Sequence, residues 1–173
     1  RLGFLQMRSA AIDSINQPAN SFSVLTLQQK VFSRSSIGMI VTNKQALGDP
    51  HQNRVAGLDY NIASKNNVWN GKLFYQKSFE NSSTLKNQAY GANLIYETRF
   101  VESRHKLAVV ESNFNPEMGY LKRKGFQRYS GTTILSKYAI QSSINRHGPG
   151  IDYEIIQVTG IGLTDFNASV GYS

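Results

Sequence analysis

The chain has 173 residues, enough for one domain, and no cysteine, so disulfide frameworks, thiolate metal sites and cysteine nucleophiles are excluded. Charged residues make up 17% of it, low beside the roughly one quarter of an average soluble domain, while aromatics reach 11% and the net charge is +8. No stretch approaches the about 18 consecutive apolar residues of a membrane helix, so a membrane-embedded form of this chain would have to be a barrel.

In chain order, residues 2–12 and 20–31 are rich enough in β-formers for two strands. Residues 34–46 give the clearest pattern: Ser35, Ile37, Met39 and Val41 share one parity, and Arg34, Ser36, Gly38, Thr42 and Lys44 the other. Alternation at period two means a strand with one apolar face. Ala56, Leu58, Tyr60 and Ile62 then oppose Gly57, Asp59 and Asn61, and Trp69, Leu73 and Tyr75 oppose Asn70, Lys72 and Gln76. Residues 89–100 set Tyr90, Ala92, Leu94, Tyr96 and Phe100 against Gly91, Asn93, Glu97 and Arg99. Weaker strands are predicted at 104–112, 127–136 and 151–159, and the pattern returns at 165–172 with Phe166, Ala168, Val170 and Tyr172. Between 137 and 150 it is lost: His147-Gly148-Pro149-Gly150 reads as a turn, and Ala139 to Asn145 fits strand or loop. No segment keeps a capped stripe of 3.6-residue period, so no helix is expected.

Strands of this length exceed the about 5–6 residues usual in soluble sheets and match a tilted membrane span. Predicted connections alternate between long (13–19, 47–52, 79–87, 113–126) and short (32–33, 64–67, 101–104), as in a barrel with short periplasmic turns and long outer loops. Aromatics gather at strand ends: Phe32, Trp69 and Phe100 beside short turns, and Phe22, Tyr75, Phe79 and Tyr90 beside long loops, as interfacial girdles require. Asp59, Lys72, Glu97 and Arg99, placed in mid-strand, are the candidates to line a lumen, with opposite charges pairing across strands. Ile37, Met39, Val41, Leu58, Tyr60, Leu73, Tyr75, Leu94 and Tyr96 are the candidates to face lipid.

Three segments then carry a resemblance: Phe32-Ser33-Arg34-Ser35-Ser36-Ile37-Gly38, Asn53-Arg54-Val55-Ala56-Gly57-Leu58-Asp59, and Asn113-Phe114-Asn115-Pro116-Glu117-Met118-Gly119-Tyr120. They resemble the C-terminal β-rich region of Bacteroidota proteins that carry a family-nine-like carbohydrate-binding domain ahead of it, most densely over residues 22–131. The resemblance implies an outer-membrane barrel longer than this chain, and brings no catalytic residues.

Both chain ends fit that expectation. Arg1 to Met7 have no basic leader followed by an apolar core and cleavage site, and the last strand stops at Ser173 without a terminal aromatic. Residues 1–173 are therefore expected to be one incomplete barrel domain of about nine or ten strands, with residues 2–12 and 162–172 either pairing with strands outside the chain or left open.

Little points to chemistry. His51, His105 and His147 are far apart with no metal-ligand spacing, so neither metal nor cofactor is expected. Glu111 and Glu117 flank Asn113 and Asn115 and resemble a glycosidase pair, yet Pro116 and the asparagines suit a structured external loop better: Asn113, Asn115, Pro116 and Glu117 are assigned to that loop. Lys122, Arg123, Lys124 and Arg128 form the one basic cluster, which reads as a solvated loop able to meet anionic headgroups; a nucleic-acid partner is not expected.

The expectation is thus an all-β antiparallel meander, a segment of a transmembrane β-barrel in a bacterial outer membrane. Its role would be structural, transport-linked or secretion-linked, without catalysis of its own. Its partners would be the lipid bilayer, lipopolysaccharide-type headgroups, the remaining strands of the barrel and an outer-membrane complex partner or adhesin function. The alternative is a soluble β-sandwich that binds carbohydrate.

Overall fold

Alternating residues with little intervening glycine or proline extend the backbone, and the computed structural model forms strands from each such segment. It describes residues 1–12, 17–80, 85–138 and 147–172. Ala139 to Asn145, left open between strand and loop, lie outside the described residues. The strands are β1 (Leu2–Ser9), β2 (Asn20–Val31), β3 (Ser35–Ala46), β4 (Gln52–Ala63), β5 (Trp69–Glu80), β6 (Gln88–Glu97), β7 (Val101–Val110), β8 (Phe126–Leu135), β9 (Pro149–Val158) and β10 (Gly162–Tyr172). They pair antiparallel, each with the next, in one sheet whose order is the chain order. The sandwich alternative needs two packed sheets; this is a single meander.

The sheet is open. β1 pairs only with β2 and β10 only with β9, and no contact joins the two outer strands. Their outward side chains stand bare, with Leu2 74%, Phe4 68%, Phe166 62% and Val170 78% exposed.

Register settles the faces, because directly opposed residues share one. Ile37 opposes Tyr60, Met39 opposes Leu58, Leu58 opposes Tyr75, Tyr60 opposes Leu73, and Tyr75 opposes Tyr90. Trp69 opposes Tyr96, Gly71 opposes Leu94, and Val41 opposes Ala56, so all nine apolar candidates lie on one face. None of the nine is buried. Asp59 and Lys72 lie on the other face, as does the main cluster of buried apolar side chains: Val55, Ala89 and Val110 pack there with Phe114 of the loop after β7, flanked by Leu121 and Phe126, while Val109 is buried on the apolar face opposite Tyr90. The small core therefore sits on the polar face, under one loop.

Several predicted boundaries move. The turn expected at His147-Gly148-Pro149-Gly150 is instead the start of β9 at Pro149, with His147 bridged to Lys137. The turn expected at 101–104 lies at 98–100, because the Thr98 hydroxyl accepts from the Val101 amide at 3.0 Å and the Thr98 amide donates to the Val101 carbonyl at 2.8 Å, closing the turn three residues early. The alternation of long and short links runs as far as β7–β8 and then reverses: β8–β9 spans 136–148, while β9–β10 turns over 159–161 with Gly160 and Gly162 at positive φ.

Candidate functional site

The site grows from the link between β7 and β8, residues 111–125, which folds back over the polar face instead of extending outward. Proline at 116 and asparagines at 113 and 115 favour turns here, and the loop is anchored at both levels, apolar and polar. Phe114, 2% exposed, is driven into the cluster of Val55, Ala89 and Val110. Beside it two short polar side chains on the strands bind the loop backbone. Asn53, 1% exposed, donates to the Asn115 carbonyl at 2.8 Å and accepts from the Glu117 amide at 3.3 Å. Ser78 accepts from the Asn115 amide at 3.1 Å. A buried polar group is stable only when so paired, so the loop and these strand ends require each other.

The rest of the loop is tied along its length. Asn113 donates to the Leu85 carbonyl at 2.9 Å, Glu111 accepts from the Gln88 amide at 2.8 Å, and Lys124 donates to the Asn115 side-chain oxygen at 2.7 Å. Glu111 and Glu117 are both engaged in structural contacts: Glu111 with the Gln88 amide, Glu117 with Lys44 and His51. Asn113, Asn115, Pro116 and Glu117, assigned to an external loop, belong to an in-folded one; long-range contacts with Asn53 and Ser78, invisible to local turn chemistry, turn it inward.

At the loop tip, Glu117 receives Lys44 Nζ on Oε2 at 2.8 Å and faces His51 Nε2 with Oε1 at 2.8 Å. Burial pushes its pKa up, but the hydrogen bonds and charges of Lys44 and His51 outweigh it and hold the carboxyl below its ordinary 4.5. Glu80, the last residue of β5, stands beside this pair: one ligand atom from each of His51, Glu80 and Glu117 lies within 4.8 Å of the others. Three elements supply these residues, which is why no spacing motif announced them.

Further along the polar face Asp59 and Lys72, on adjacent strands, pair at 2.8 Å. Gly38 lies opposite Asp59, and a Cβ there would collide with its carboxylate. Arg128 pairs with Glu154, Arg104 with Glu102 at 2.9 Å, and Thr132 donates to Asp152 at 2.6 Å. A row of charged and hydroxyl side chains thus crosses the face below the loop.

Glu97 shares the polar face but stands at a strand end, and Arg99 lies outside the strands. Glu97 is the terminal residue of β6, opposite Glu102, not a mid-strand group. Arg99 is in the turn, its guanidinium 5.0 Å from the Tyr138 ring centre and 5.7 Å from that of Phe100. It belongs to an aromatic cluster at the sheet end, because Thr98 ends the strand before the alternation reaches it.

That sheet end collects aromatics: Trp69 and Tyr96 pack with ring centres 4.8 Å apart, Phe100 and Tyr138 at 6.4 Å, and Phe32 is 86% exposed. The other two histidines sit apart from the loop. His105, on the apolar face, bonds Ser103 Oγ at 2.8 Å and the Tyr153 hydroxyl at 3.0 Å, and His147 bonds the Tyr172 hydroxyl at 2.6 Å.

Fold and site together define an all-β antiparallel meander whose polar face is covered at one end by its own loop. A family model described as "Domain of unknown function (DUF5916)" matches residues 6–158, from β1 to the end of β9, and the chain belongs to that family. No curated protein and no solved structure matches it.

Proposed function

We propose that this sheet is part of the wall of a bacterial outer-membrane β-barrel, its apolar face against lipid, its polar face toward the lumen and the 111–125 loop narrowing that lumen from the long-loop end. The observation that carries this reading is the inverted burial of the two faces. Leu58 is 54% exposed, Ile37 46%, Tyr75 42% and Leu73 40%, while Asn53, Ser78 and Asn20 on the opposite face are buried. Large contiguous apolar surface is unfavourable in water and favourable in hydrocarbon.

Supporting details follow the same physics. A strand of 12 residues such as β5 spans about 40 Å, or about 29 Å when tilted by about 45°, close to the about 30 Å of a bilayer core. On the apolar face the charges of Arg8, Arg54 and Lys77 stand near the long-loop end. His105 satisfies its ring nitrogens sideways through Ser103 and Tyr153, as a polar group in lipid must. Phe32, Trp69, Phe100 and Tyr138 at the opposite end suit the headgroup level.

Open edges at β1 and β10 would be completed by further strands of the same barrel, since unpaired backbone groups cost several kcal/mol in hydrocarbon. In this reading the chain is the β-rich part of a longer Bacteroidota protein with an upstream family-nine-like carbohydrate-binding domain. Its role is structural, transport-linked or secretion-linked, without catalysis of its own. Refolding from urea tests it: β-sheet circular dichroism should develop on dilution into phospholipid vesicles or detergent and not into plain buffer. A monodisperse, fully β-folded chain in buffer alone would overturn the reading.

A further inference from the structure

We propose that His51, Glu80 and Glu117 form a binding site for a zinc-class divalent ion that clamps the in-folded loop to the ends of β4 and β5. The three come from separate elements: the link before β4, the last residue of β5, and the loop tip. One imidazole nitrogen and two carboxylate oxygens lie within 4.8 Å of one another. Bound to one tetrahedral ion at about 2.0–2.2 Å, such atoms stand about 3.4 Å apart, so closing the set asks each pair to draw in by at most about 1.4 Å.

Two further features point to an ion. The oxygens of Glu117 are divided: Lys44 holds Oε2 while Oε1 faces His51, the arrangement in which an outer partner orients a ligating carboxylate. Glu80 is half-buried, and its side chain has no hydrogen bond or ion pair with any described residue, although it lies beside a second carboxylate. Lys44 compensates Glu117, and no cation among the described residues pairs with Glu80. On binding, the ion takes the lone pair of His51 Nε2, whose ring proton then resides on Nδ1. A nitrogen donor and three protein ligands suit zinc; calcium takes six to eight oxygens and magnesium prefers oxygen and water.

The site is independent of the membrane reading, because it is built from contacts within one chain. Its test is equilibrium dialysis of the folded 173-residue chain against zinc chloride, with bound metal measured by atomic emission and magnesium chloride as the comparison. One zinc per chain is expected, undisplaced by excess magnesium. Glu80→Gln, which removes no hydrogen bond to a described residue, and His51→Ala should each weaken binding at least tenfold while circular dichroism stays unchanged. Failure of the folded wild-type chain to take up zinc, or uptake that neither substitution weakens, would overturn the proposal.

Discussion

Leu58 and Asp59 are neighbours in sequence and opposites in structure. Leu58 lies in a stripe with Met39 and Tyr75 on a face that the described residues leave uncovered there; Asp59 lies on the face that holds the ion pair to Lys72 and, nearer one end, the loop. The faces are made from alternate residues of the same strands, so strand propensity cannot distinguish them. What distinguishes them is what each presents: one bares large apolar side chains, the other offers hydrogen-bonding groups to its own chain.

The polar face breaks most deeply at Phe114. Phe114→Ala removes the anchor of the loop and should cost about 3–5 kcal/mol in urea unfolding. The released loop should be cleaved by trypsin at Lys122, Arg123 and Lys124 faster than in the wild-type chain.

On the apolar face, Leu58→Arg separates the two media. Facing hydrocarbon near the middle of a strand, arginine should destabilise the chain in vesicles by about 2–4 kcal/mol. Facing water, an exposed position such as this should change stability by no more than about 0.5 kcal/mol. Back on the polar face, Asn53→Ala leaves the Asn115 carbonyl and Glu117 amide without their buried partner and should cost about 1–3 kcal/mol.

Acid should act more weakly and only at the loop tip. The Glu117 carboxyl is held below its ordinary 4.5 in the folded chain, so its contribution is full above that value and is lost as pH falls through the lowered one. The stability lost in Glu117→Gln relative to wild type, measured by urea unfolding, should therefore be largest near neutral pH and shrink as pH falls below 4.5, where the wild-type carboxyl becomes protonated.

How much of this was legible follows from the range of each interaction. Alternation is local, so the strands and their faces could be read from runs such as Ile37, Met39, Val41 and Leu58, Tyr60. The same rule overran at Arg99, because parity continues on paper past Thr98, whose hydroxyl has already turned the chain. The loop contacts were not legible: Asn53 meets Asn115 across 62 residues and Lys44 meets Glu117 across 73, and such pairs leave no period. Asn53, Ser78, Lys44 and Glu80 look like ordinary polar alternation until the sheet sets them beneath the loop.

The chain holds one tryptophan, Trp69, and it stands on the apolar face at the aromatic end, 50% exposed and packed against Tyr96. Its fluorescence in vesicles of brominated phospholipids therefore tests the central claim without any substitution. Bromine near the headgroup end of the acyl chains should quench Trp69 strongly and bromine near the bilayer centre less, as expected for an interfacial aromatic. Emission equal in brominated and plain vesicles, from a chain that is folded by circular dichroism, would contradict the assignment of this face to lipid.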